Sequence, residues 1–198
     1  MDELLNRNLF LVKEHTGIMK AANHYDMYDP ESGNIVLECR EEGLGGFTKV
    51  LRFTKMKPNT PFDIRLRTRD GRQLVRVSRG WTFWRSHVSV HNHEDQLVGR
   101  FRQRLLSIGG KFDVHGPDDQ LLCTLRGKWT GWEFKFVSGE TEFASVTKRW
   151  AGLGKELFTT ADNYMLSISE AVPADHPLRP LILAAVVSID MVLKERSG

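Results

Sequence analysis

Cysteine is scarce in these 198 residues: Cys39 and Cys123 are the only two. Each stands alone, without a CxxC neighbour, so neither a disulfide framework nor a zinc ribbon can be built from them. Reduced thiols, no disulfide partner and a cytoplasmic setting are expected. The opening MDELLNRNLF is acidic where a secretory signal is basic, and no signal or transit peptide is expected. No myristoylation glycine follows Met1 and no prenylation box closes the chain. Long apolar runs are missing too. The nearest approach, LILAAVVSIDMVL at 181–193, is interrupted by Ser188 and Asp190 and falls short of the roughly 20 residues that span a bilayer. A carboxylate in such a run adds about 3 kcal/mol to insertion. A short helix that is apolar on every side fits inside a protein, touching protein all round.

Catalytic signatures are absent as well. There is no GxSxG elbow, no HExxH and no Cys/His pairing. GLGGFTK at Gly43 and GLGK at Gly152 are glycine-rich, but neither fits GxxxxGK[ST], and both are expected to be turns rather than helix-opening phosphate loops. His87, His91 and His93 share one strand parity, yet the polar turn NHED begins at Asn92, so His93 is expected to leave the strand. A binding protein without catalytic residues, cofactor or metal is the reading that remains.

Charge is unevenly spread. Residues 49–104 hold 14 Lys or Arg against 4 Asp or Glu, whereas the segments before and after are acidic. Such a block fits either a solvated sheet face or a surface for an anionic partner. The dominant period is two. FDIRLRTRDGRQLVRVSRG, from Phe62, alternates apolar Phe62, Ile64 and Leu66 with Asp63, Arg65 and Arg67, turns at Asp70-Gly71, and resumes with Leu74, Val75 and Val77 against Arg76 and Arg79. This predicts a hairpin with a wet, arginine-rich face. Further strands are expected at 9–12, 24–28, 35–39 and 50–53. HVSVHNHEDQLVGRFRQRL, KFDVHGPDDQLLCTLRGKW and EFKFVSGETEFASVTKRW then repeat a strand, a polar turn and a second strand. A run of a dozen short strands must stack or close on itself to remove its edges. The apolar C-terminal helix is available to fill a closed barrel.

The stretch SVTKRWAGLGKELFTTADNYMLSI at 145–168, followed by a spacer and LILAAVVSIDMVLKE, resembles the end of the phospholipid scramblase family and of LURP-one-related proteins, in the tubby C-terminal-like group. The matching positions are Lys148, Trp150, Gly152, Glu156, Phe158, Thr159, Ala161, Asp162, Asn163 and Tyr164, then Ile189, Asp190, Met191 and Glu195. The resemblance implies a mainly β fold: a single domain over 1–198, a closed antiparallel barrel of about 12 strands around a central hydrophobic helix at 177–195. Scramblase-like proteins carry a proposed calcium segment with an Asp-Ala-Asp-Asn run. Here that run is Thr160-Ala161-Asp162-Asn163, without the first carboxylate, whereas calcium takes 6–8 oxygens. A structural turn is expected instead. The acylated cysteine cluster of animal scramblases is also missing.

Two functions follow. One is a scramblase-like barrel that binds anionic phospholipid or phosphoinositide surfaces, peripherally at the inner face of the membrane, with Arg65, Arg67, Arg76, Arg100 and Arg102 pointing outward and a link to phospholipid scrambling. The other is a soluble interaction or signalling scaffold with a protein partner. Nucleic acid is disfavoured, since no fingerprint accompanies the basic block. Trp81, Trp84, Trp129, Trp132 and Trp150 are expected either in the core and barrel ends or at an interface. Asp190 is expected to meet a buried partner.

Overall fold

The computed structural model describes residues 3–15, 24–43, 45–51, 54, 59–82, 86–104, 111–128, 133–148 and 163–193. After a short 3-10 turn at Glu3–Asn6, the strands are β1 (Leu9–Glu14), β2 (His24–Tyr28), β3 (Ile35–Glu41), β4 (Phe62–Arg67), β5 (Gln73–Arg79), β6 (His87–His91), β7 (Leu97–Gln103), β8 (Lys111–His115), β9 (Leu121–Lys128), β10 (Glu133–Ser138), β11 (Thr141–Thr147) and β12 (Asn163–Ile168). Each pairs antiparallel with its sequence neighbour, and β1 pairs with β12, so the sheet closes. The expected mainly β barrel of 12 strands is the fold. Helix α2 (Leu178–Leu193) fills it.

Alternation decides which side chains enter the bore. In β4, Phe62, Ile64 and Leu66 are buried while Asp63, Arg65 and Arg67 lie on the outer face. The helix presents Leu181, Ile182, Leu183, Ala184, Ala185, Val186 and Val187 to these walls and is buried on all sides. Pro180 sits in its first turn, where a missing N–H costs no helical hydrogen bond. Ser188 donates its hydroxyl to the Ala184 carbonyl at 2.8 Å, so this polar group is satisfied within the helix. The Asp190 side chain lies outside what the structure describes.

The helix runs against β5, β6 and β7, and a glycine makes room for it. A Cβ at Gly99 on β7 would stand 2.3 Å from the His115 carbonyl oxygen and 3.0 Å from a Leu181 methyl. The carbonyl belongs to the paired strand and cannot swing away. Gly99→Ala is therefore expected to destabilise the barrel by about 1–3 kcal/mol, measured by denaturant unfolding.

The two ends of the barrel differ. At one rim the hairpins turn tightly, and a left-handed residue recurs in the turns: Gly33, Gly71, Asp95, Asp119 and Gly139 have φ between 58° and 89°. The ladder shifts register beside these turns, as between Val90 and His91 and between Val114 and His115. This is the repeat seen in sequence, now as a recurring bulged hairpin. In the first such turn Asp29 accepts from the Ser32 hydroxyl at 2.7 Å and the Glu31 N–H at 3.1 Å, and pairs with Arg7 at 2.9 Å. The Ser32 hydrogen bond, then the Glu31 N–H and Arg7, hold the Asp29 carboxyl below its usual range. A depressed carboxyl stabilises fully above the unfolded value of about 3.9 and loses that contribution as pH falls through the folded value. Asp29→Ala is thus expected to lower Tm at pH 6, with the difference from wild type shrinking toward pH 3.

Three expectations are corrected. Of the strand expected at 50–53, residues 50 and 51 instead end a six-residue helix α1 (Gly46–Leu51), and 52–53 lie outside the described residues; β3 pairs directly with β4, so no described strand lies between them. That helix also opens from the GLGGFTK segment, which is therefore not simply a turn. Arg79 does not share the wet face of Arg76. Its parity is that of Val75 and Val77, and it is only 4% exposed. It donates to the Thr60 carbonyl at 2.6 Å and lies over the Phe62 ring at 4.7 Å, closing the bore at the other rim.

Candidate anion-binding exterior

Register brings the sequence-predicted arginines together. Arg40, Arg65, Arg76 and His91 stand opposite one another on β3, β4, β5 and β6. Arg67 is opposite Glu38, Arg100 lies between Ser89 and His115, and Arg102 between His87 and Asp113. Like charges directly opposite repel at these spacings of about 5 Å, so the face needs counter-charges, and it has them. Glu42 meets Arg65 at 3.2 Å and Arg67 at 2.5 Å. Asp63 receives two hydrogen bonds from Arg76, Nε at 3.0 Å and Nη2 at 2.7 Å, and Asp95 a third at 3.1 Å. These carboxylates raise the Arg76 pKa further above its already high value. Asp119 pairs with Arg102 at 2.6 Å, Asp113 with Arg104 at 2.7 Å, and Asp26 with Arg40 at 2.7 Å. Arg100 makes no ion pair with the described residues.

Partly exposed pairs of this kind contribute only about 0–1 kcal/mol each to stability. Their larger effect is on the field, because each carboxylate offsets one cation of the side wall. Sequence counting missed this. Glu42 and Asp119 lie outside the basic block, and only strand register shows that they reach it. Asp95 and Asp119 are the left-handed residues of their turns, so turn geometry itself delivers the counter-charge.

The remaining chemistry is sparse. His93 lies in the turn after β6, as expected, beside Glu94 at 3.8 Å. Burial, with Arg76 next, lowers the His91 pKa. No group of three His, Cys, Asp or Glu among the described residues could hold a metal. Burial pushes the Cys123 thiol up to about 12 and the Cys39 thiol higher still, so neither supplies a thiolate near neutral pH. Nothing among the described residues pairs an activated nucleophile with a base.

The Scramblase family profile matches residues 4–196, nearly the whole barrel and its helix. The chain belongs to the Scramblase family. Among solved structures it is similar to the X-ray structure of a protein from Arabidopsis thaliana, with a TM-score of 0.53 at 11% sequence identity, covering 96% of this chain and 93% of that one. At that identity the likeness concerns the fold. No curated protein matches.

For this Scramblase-family barrel, the calcium segment can be tested in part. Thr160, Ala161 and Asp162 lie outside the described residues. Asn163 opens β12, is 6% exposed and stands opposite Lys13 on β1. Asn163 is thus a buried strand residue and not the turn residue expected, and one buried amide is far from the 6–8 oxygens calcium takes. Millimolar calcium is expected to leave Tm unchanged, since a ligand of the folded state would raise it; thermal unfolding with and without the ion checks this. Of the tryptophans only Trp81 is described, half-exposed at the end of β5; Trp84, Trp129, Trp132 and Trp150 lie outside the described residues.

Proposed function

We propose that this Scramblase-family barrel is a non-enzymatic protein that binds anionic phospholipid or phosphoinositide surfaces peripherally, from the cytoplasmic side. The observation that carries the reading is the position of the hydrophobic helix. No helix among the described residues is long and apolar enough to cross a membrane, and α2 is enclosed by strands on every side. With that helix committed to the core, attachment has to come from the exterior, where cations outnumber acids in the block 49–104. Of the side-wall arginines, Arg100 has no ion pair among the described residues, while Arg65, Arg67, Arg76 and Arg102 already hold carboxylate partners that a lipid phosphate would have to displace. A role in scrambling is harder to reconcile with a filled bore, which offers head groups no internal path.

Sedimentation with vesicles tests the proposal. Recovery with phosphatidylserine or phosphoinositide vesicles and not with phosphatidylcholine vesicles is the expected result. Equal recovery with both, or none with either, favours the alternative of a soluble scaffold for a protein partner.

A further inference from the structure

The row of like charges on β3–β6 is offset residue by residue, since Arg40, Arg65 and Arg76 each hold a carboxylate. A second row, further round the barrel, is not. Lys111 on β8 stands opposite Arg126 on β9, and Arg126 opposite Lys135 on β10. Arg104, whose N–H donates to the Lys111 carbonyl at 2.9 Å, extends the row from the end of β7. Alternation turns the row outward, because the neighbours Phe112, Leu125, Phe134 and Phe136 belong to the core. At its two ends Arg104 holds Asp113 at 2.7 Å and Lys135 holds Glu142 at 2.9 Å. Arg126, exposed between two cations, makes no ion pair or hydrogen bond with the described residues. Like charges directly opposite destabilise a sheet, so an anion from solution gains most at this point of the wall.

The row borders a groove of about 360 Å³, lined by Arg104, Lys111 and Arg126 together with Thr124, Val137 and Leu121. Thr124 and Val137 stand opposite each other, half-buried and buried, and their short side chains leave the depression beside the long cations. Leu121 is 56% exposed. Unbroken alternation would send it inward with Cys123 and Leu125, but the register shift between Val114 and His115 sets it opposite His115, on the outer face. The groove is thus cationic at Arg126 and apolar at Leu121, about 15 Å apart at the rise of a strand.

Deepening the lipid-binding reading, and resting on it for the class of ligand, we propose that this groove is a binding site for a phosphate ester that carries an acyl chain. The phosphate sits at Arg126 and Lys111, and the chain lies over Thr124 and Val137 toward Leu121. A guanidinium fork takes two phosphate oxygens at once, and an ammonium adds a point charge. The Thr124 hydroxyl donates to Asp113 at a long 3.5 Å and can rotate to an ester oxygen instead. Both ends of the groove select the ligand: a bare anion leaves Leu121 in water, and a bare hydrocarbon leaves Arg126 without a counter-charge.

The test titrates the full chain with dihexanoyl phosphatidic acid below its micelle concentration, with glycerol 3-phosphate and with inorganic phosphate, reading backbone amide shifts. Saturable shifts at residues 121–126 and 137–138 are expected, with the acylated ester bound about five-fold or more tighter than glycerol 3-phosphate. Arg126→Gln should weaken the acylated ester by about ten-fold. Leu121→Ser should bring it close to glycerol 3-phosphate, while Arg65→Gln stays within about two-fold of wild type. Arg126 and Leu121 are exposed, and melting curves establish that each variant is folded. Equal affinity for inorganic phosphate and the acylated ester, or an Arg126→Gln variant that binds like wild type, overturns the proposal. Sedimentation with anionic vesicles separates it from the reading it rests on. A chain that pellets with them while its amides at 121–126 ignore the soluble ester overturns the groove and leaves surface binding standing. A chain that saturates with the ester at those amides and ignores vesicles upholds the groove and overturns surface binding.

Discussion

A chain ended before His176 is expected to show no cooperative unfolding transition. Eight large apolar side chains of α2 are buried in the bore: Leu178, Leu181, Ile182, Leu183, Val186, Val187, Met191 and Val192. At about 1.5–3 kcal/mol for each, their burial alone is comparable to or larger than the roughly 5–15 kcal/mol by which a domain is stable. The loss extends to the walls. Val77, Val88, Val90, Phe101, Phe112 and Val114 belong to the same core as the helix, and an emptied bore would expose them to water. Circular dichroism with dye binding should report residual strand content, a broad melt and accessible apolar surface. A truncated chain that still melts sharply would show that the strands pack without the helix.

Arg179→Met is expected to cost about 3–5 kcal/mol, the second largest single effect, by stranding polar groups where the helix enters the barrel. Arg179 is 3% exposed. Its guanidinium donates Nε to the Val172 and Pro173 carbonyls at 3.0 and 3.1 Å, Nη1 to the Arg7 carbonyl at 2.8 Å, and Nη2 to Asn8 Oδ1 at 2.7 Å and the Val172 carbonyl at 2.5 Å. Burial lowers its pKa from the ordinary arginine value, and these oxygens offset that desolvation. One side chain thereby ties the helix start to the chain just before β1 and to the loop after β12. Methionine reaches only about as far as the arginine Nε and has no donors, so four acceptors lose their partner. Arg179→Lys should recover part of the loss, because an ammonium cannot reproduce the planar fork. Denaturant unfolding of the pair measures both. A methionine variant within about 1 kcal/mol of wild type would mean that water replaces the guanidinium.

Much of the barrel was legible because alternation and turn chemistry are local. The hairpin at Phe62 and its turn at Asp70-Gly71 follow from period two and from a glycine whose φ of 89° favours it. Helix α2 was legible for the opposite reason: its all-round apolarity has few soluble explanations. Of the expected 177–195, the described helix covers Leu178–Leu193, and 194 and 195 lie outside the described residues. What local reading missed depends on pairing. Arg79 reads as exposed from its residue type, but its spacing of two from Val77 turns it inward, where the Thr60 carbonyl and the Phe62 ring receive it. The counter-charges at Glu42, Asp95 and Asp119 come from connections that only register brings beside the arginines.

The most direct test of the account is the partition of the intact chain onto phosphatidylserine vesicles as salt is raised from physiological strength to 1 M. Screening shortens from about 8 Å to about 3 Å over that range. Peripheral attachment through exterior cations predicts strong partition at physiological salt, a steep decline toward 1 M, and no binding to phosphatidylcholine at any salt. Binding that is indifferent to salt, or equal on neutral vesicles, would contradict it.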